Sequence, residues 1–98
     1  MLEKQRKGGE EMGYALMVFS SSTTASRLKR LAFRSGLKEV GIIQTPKIIS
    51  ENGCTHSVRT RVSSLPELKR LADEYGLKYL KIYREFIGTD GRKSYDLY

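Results

Sequence analysis

The sequence predicts an α+β domain in which two β-α-β units share one sheet, and three observations carry the prediction. Leu28-Lys29-Arg30-Leu31-Ala32, followed by Gly36-Leu37-Lys38, returns 40 residues later as Leu68-Lys69-Arg70-Leu71-Ala72 followed by Gly76-Leu77-Lys78. Each copy runs on into an apolar stretch, Val40 to Ile43 in the first and Leu80 to Tyr83 in the second. A segment of strand length precedes each copy: continuously apolar at residues 14–19, alternating at 57–62. A period this long leaves room for two copies in 98 residues, too few for a stacked solenoid.

The elements follow in order. Residues 1–13 mix Lys4, Arg6 and Lys7 with Glu3, Glu10 and Glu11 around Gly8-Gly9 and read as a disordered arm. Tyr14-Ala15-Leu16-Met17-Val18-Phe19 is apolar at every position, as a central strand covered on both faces requires. Ser20-Ser21-Ser22-Thr23-Thr24 then offers hydroxyls that accept from the free N–H groups of a helix start. The first helix is expected over 24–35, with Ala25, Leu28, Leu31 and Ala32 buried and Gly36 as its left-handed stop. A second strand at 39–44 leads into a loop, 45–55, that holds Pro46, Asn52-Gly53 and Cys54.

In the third strand, 57–62, Val58, Thr60 and Val62 alternate with Arg59 and Arg61, so the arginines face the open side of the sheet. The second helix is expected to open on Ser64 and Glu67 in capping-box spacing, with Pro66 in its first turn. Its buried stripe is Leu65, Leu68, Leu71, Ala72 and Tyr75, and Gly76 ends it. A fourth strand spans 79–86. Asp90-Gly91 is a hairpin signal, so residues 88–98 form either an added strand or a frayed tail. With right-handed crossovers this order closes as a ferredoxin-like β-α-β-β-α-β sandwich over residues 14–87. Such a sandwich has a four-stranded antiparallel sheet, strands one and three central, and two helices on one face.

Composition bounds the function. The chain carries +7 net charge, spread along its length, which suits either solvated helix faces or a polyanionic partner. No apolar run approaches the roughly 18 residues of a membrane span. The N-terminus lacks the apolar core of a secretory signal, so a cytoplasmic protein is expected. One cysteine excludes an internal disulfide and leaves Cys54 as a small buried residue, an intermolecular bridge or a working thiol. One His and one Cys cannot build a tetrahedral zinc site, and no phosphate-cradling glycine loop is present. Neither a metal, a cofactor nor a conventional enzyme is therefore expected.

The predicted topology places the Ser20, Ser21, Ser22 and Thr23 turn at the same end of the molecule as the Cys54 loop. There the first helix presents free N–H groups and the positive end of its dipole, an environment that holds anions and stabilises a thiolate. His56 and Lys47 are candidates to add positive charge.

Phe19-Ser20-Ser21 leading into the helix, Gln44-Thr45-Pro46, Ser50, and Cys54 followed by Ser57-Val58-Arg59 resemble the putative selenium/sulfur carrier protein-like family, over about residues 13–85. The resemblance implies that Cys54 is a carrier cysteine whose loop is shaped by Thr45, Pro46 and Ser50. It implies a persulfide or selenopersulfide on Cys54, with donor and acceptor proteins as partners. One departure is Thr55, where a glycine after the cysteine is expected.

Two other classes compete. An RNA-binding module would use the open sheet face, with Arg59, Arg61, Lys81 and Tyr83, and Tyr79 beside them, to hold a single strand. The third strand, however, has no aromatic residue. A regulatory or interaction domain would pair two copies through an edge strand or the open sheet, with Tyr14, Tyr79, Tyr83, Tyr95 and Tyr98 as an amphipathic surface.

Overall fold

A computed structural model describes residues 13–37, 39–50 and 55–98. Residues 1–12 of the expected arm, and Cys54 itself, lie outside the described residues. The elements are β1 (Tyr14–Phe19), α1 (Ser22–Arg34), β2 (Gly41–Gln44), β3 (His56–Arg61), α2 (Leu65–Glu74), β4 (Lys81–Ile87) and β5 (Lys93–Leu97), with a 3-10 turn at Val62–Ser64 before α2. The strands form one sheet in the order β2-β3-β1-β4-β5, every neighbouring pair antiparallel.

β1 and β3 lie inside the sheet, β1 between β3 and β4. Ala15, Leu16, Met17, Val18 and Phe19 are all buried, as a strand covered on both faces demands. Side chains alternate along it. Ala15, Met17 and Phe19, together with Val58 and Ile82, meet Ala25, Leu28 and Ala32 of α1 and Leu65, Leu68, Leu71 and Ala72 of α2. Both helices therefore cover one face, and Tyr14, Leu16 and Val18 turn to the other.

The sequence repeat is a repeat of helix endings. Leu37 N donates to the Ala32 carbonyl at 2.9 Å, and Leu77 N to the Ala72 carbonyl at 2.8 Å. Each bond closes the helix across a glycine in the left-handed region, Gly36 at φ 96° and Gly76 at φ 67°. Leu37 and Leu77 then turn back onto the core. Substituting alanine at either glycine is expected to cost about 1 kcal/mol, because a Cβ is strained there even though open space surrounds it. Urea denaturation measures the loss, and an unchanged midpoint at both positions would refute the argument.

Several expectations need correction. The sheet has five strands rather than four: of the two alternatives for the tail, the added strand is the one found, paired with β4 from Tyr83↔Leu97 to Ile87↔Lys93. α1 starts two residues early, at Ser22, because Ser21 is the cap and its hydroxyl accepts from Thr24 N at 3.3 Å. The Ser64–Glu67 capping box does not form: Ser64 is already helical at the end of the 3-10 turn, and its side chain makes no capping bond. Tyr75 leaves the buried stripe, since it is the C-cap of α2 and half exposed. Tyr79 precedes β4 and packs edge-on against Phe19, ring centroids 6.4 Å apart. It thus belongs to the helix side, not to a sheet face with Lys81 and Tyr83, and the five tyrosines form no single surface.

Candidate functional site

The register fixes where the 45–55 loop begins and ends. Gln44 and His56 are partners across β2 and β3, and Phe19 is the partner of His56 across β1 and β3. The last residues of β1 and β2 and the first of β3 therefore share one end of the sheet. α1 opens at that end, three residues past Phe19, with no acidic side chain in its first turn. Ser20 is exposed, Ser21 caps, and Ser22 and Thr23 are exposed in the first turn.

The loop is tied down at both ends. Thr45 and Ser57, both buried, share a 2.7 Å hydrogen bond between hydroxyls, and Thr45 N donates to the Thr55 carbonyl at 3.1 Å. Ile49 N donates to the Pro46 carbonyl and Ser50 N to the Lys47 carbonyl, which makes 46–50 a tight turn. Ser50 Oγ lies 3.5 Å from Thr55 Oγ1. Thr55, present where a glycine was expected, is buried and joins Ser50 in lining a cavity of about 60 Å³ with Val18, Ile49, Leu80, Lys81 and Tyr83. Ser50 and Thr55, the described residues on either side of 51–54 in the sequence, both line this cavity.

His56 projects to the helix side, opposite Ser57 and Arg59. Its Nδ1 is buried and has no hydrogen-bond partner among the described residues. Lys47 and Ile48 are exposed on the turn. A Thr45→Val substitution leaves the Ser57 hydroxyl buried without its partner, an expected cost of about 1–3 kcal/mol. Thr45→Val with Ser57→Ala is expected to cost less than the two single losses summed, because both polar atoms are then gone. Chemical denaturation of the four proteins completes that cycle, and strict additivity would show that the bond contributes nothing.

The residues proposed for nucleic acid lie together on the helix-free face, but their charges are already engaged. Arg59 donates to Glu85 Oε1 from Nη2 at 2.8 Å and from Nε at 3.3 Å, and its guanidinium sits 3.8 Å from the centroid of the Tyr14 ring. Arg61 pairs with Glu39. Tyr95 on β5 donates to Glu85 Oε2 at 3.0 Å, and Lys93 Nζ lies 3.8 Å from the same oxygen. The Glu85 side chain is only 2% exposed, a carboxylate held by three partners.

Burial first, and then the hydrogen bond and charge of Glu85, raise the Tyr95 phenol above 10.0. The neutral phenol is thus favoured by folding. Its contribution is complete below pH 10 and is lost as pH rises through the raised value. Stability followed from pH 9 to 11 is expected to fall more steeply in the native protein than in Tyr95→Phe, and parallel curves would refute this.

Among the described residues no group of three His, Cys, Asp or Glu side chains gathers to hold a metal, and no helix is long and apolar enough to cross a membrane. Sequence reasoning missed Val18, Ile49 and Leu80 around the loop. Only the pairing of Gln44 with His56, and the fold-back of 46–50, brings them together.

The fold defines a small α+β domain in which the ends of the 45–55 loop and the start of α1 share one end of the sheet. The chain belongs to the family described as putative Se/S carrier protein-like, whose model matches residues 14–84. No curated protein and no solved structure matches the chain.

Proposed function

We propose that this protein carries sulfur or selenium between proteins on Cys54, and that its core is a ferredoxin-like sandwich extended by an edge strand. Family membership supports the cargo class. The observation that carries the reading on this chain is the pinning of the 45–55 loop, through Thr45, Ser57 and Thr55, at the end of the sheet where α1 begins. The free N–H groups and dipole of α1 favour negative charge at that end. His56 lies two residues from the thiol.

In the proposed step the Cys54 thiolate attacks the outer sulfur of a donor persulfide, R–S–SH. The new S–S bond forms as the donor's breaks, the donor leaves as R–S⁻, and the proton stays on the transferred sulfur. With R–S–SeH the attack falls on selenium and yields Cys–S–SeH. An acceptor thiolate then removes the outer atom and releases Cys54. The sulfane atom keeps its oxidation state throughout, so no oxidant is consumed. A single cysteine avoids internal disulfide closure, which would discharge the cargo, and suits a reducing cytoplasmic setting.

Glutathione persulfide is the direct probe. Mass spectrometry of the treated protein is expected to show one added sulfur, mapped to Cys54 and removed by reductant. An unmodified mass at saturating donor would end the carrier reading. Ile48, 74% exposed on the turn that leads to the cysteine, is an apolar contact suited to a protein partner. Ile48→Ser is expected to change stability by less than about 0.5 kcal/mol while slowing protein-to-protein transfer. Equal transfer rates would remove Ile48 from the contact. The nucleic-acid alternative has less support, because Arg59 and Arg61 are neutralised by Glu85 and Glu39.

A further inference from the structure

The two repeated helices treat their surface charge in opposite ways. On α2, Arg70 bridges Glu67 and Glu74 at i,i+3 and i,i+4, so that helix neutralises much of its own charge. α1, Ser22–Arg34, contains no acidic residue at all. Its Arg27, Lys29, Arg30 and Arg34 are exposed, and none of them has an ion-pair partner among the described residues. Ser26, Lys29, Arg30 and Phe33 recur at helical spacing and, with Ile42 of β2, line a groove of about 430 Å³. Phe33 stands 62% exposed along it, which is unusual for a ring with a core available beneath it. The strand beside the groove, β2, is the edge of the sheet and runs directly into the 45–55 loop.

We infer that the groove between α1 and β2 is the docking site for an acidic protein segment that carries an apolar anchor residue. Unpaired cations along one helix face, with none of the acids that offset them on the repeated helix, select an anionic occupant. The aromatic and aliphatic lining selects a protein over a nucleic acid. Phosphates would satisfy the charges, but among the described residues Phe33 is the one aromatic ring on the groove, whereas single strands are held by successive stacking platforms. A second copy of this chain is a poor occupant, because each copy carries +7 and Glu67 and Glu74 of α2 are already held by Arg70. β2, which supplies Ile42 to the groove, continues into the 45–55 loop, so the occupant would be a donor or acceptor held on the same edge of the sheet. That purpose rests on the carrier reading, while the surface itself does not.

The test uses the full chain and three fluorescein-labelled probes followed by anisotropy. One is an acidic amphipathic helical peptide with leucine at i, i+3 and i+7, the second is the same peptide with the leucines replaced by serine, and the third is a single-stranded oligonucleotide of equal charge. The leucine peptide is expected to bind, to weaken steeply with added salt, and to outcompete the other two probes. Lys29→Glu with Arg30→Glu, and separately Phe33→Ala, are each expected to weaken it about tenfold. Lys69→Glu on α2 is expected to leave it unchanged. Circular dichroism confirms that each variant is folded. The proposal is overturned if the leucine peptide does not bind, if the oligonucleotide binds more tightly, if either groove variant binds like the native protein, or if self-association accounts for the signal. Cys54→Ser is expected to bind the peptide normally, so loss of sulfur loading and loss of docking are read separately.

Discussion

Phe19→Ala is expected to destabilise the domain by about 3–5 kcal/mol, enough to leave much of it unfolded at physiological temperature. Phe19 is fully buried at the last position of β1, where the helix side of the sheet meets the start of α1. Its loss removes a large apolar side chain and leaves a cavity that helices held by short connections cannot collapse to fill. It also removes the edge-on contact with Tyr79, whose ring lies 6.4 Å away at 75°. Urea denaturation at constant pH measures the change. A loss below about 1.5 kcal/mol would mean that the core can repack around this site. His56 is the cross-strand partner of Phe19, so the variant also loosens the rung on which the 45–55 loop ends.

Cys54→Ser is expected to abolish sulfur loading completely while shifting stability by less than about 0.5 kcal/mol. The first half follows from chemistry, since a serine hydroxyl neither ionises near neutral pH nor accepts a sulfane atom. The second half follows from the anchoring on either side: the Thr45–Ser57 hydroxyl bond and the Thr45–Thr55 backbone bond remain intact. On the proposed reading, which sets Cys54 at the N-terminal end of α1, the thiol is expected to titrate below about 8.5, the unperturbed value. Iodoacetamide alkylation rates from pH 5 to 10 give that value directly. A thiol that titrates at or above about 8.5 would remove the electrostatic argument for transfer.

How far such a site is legible in sequence depends on whether the determining contact is local. β1 could be read as central because six consecutive apolar residues only make sense when both faces are covered. The helix endings could be read because Gly36 and Gly76 follow identical stripes at identical spacing. Five neighbouring hydroxyl residues, by contrast, cannot say which one caps, and only the extended backbone of Ser21 selects it. Alternation extended back from Lys81 puts Tyr79 on the Lys81 face, but Tyr79 lies two residues before the start of β4. The Glu85 network is not legible in the sequence, because its members come from β3, β4 and β5 and meet only through the registers of Glu85 with Tyr95 and, across β1, of Tyr14 with Arg61 and Glu85. Thr45 and Ser57 read as ordinary loop and strand hydroxyls until β2 and β3 are aligned.

The ladder rung between Gln44 and His56 has an implication for engineering. It closes the base of the connecting segment, so the entropy of closing that segment rises only logarithmically with its length. A few extra residues, or a reporter peptide, spliced between Ser50 and Thr55 would leave the scaffold standing, and the domain could serve as a chassis on which thiol-bearing segments of other designs are displayed.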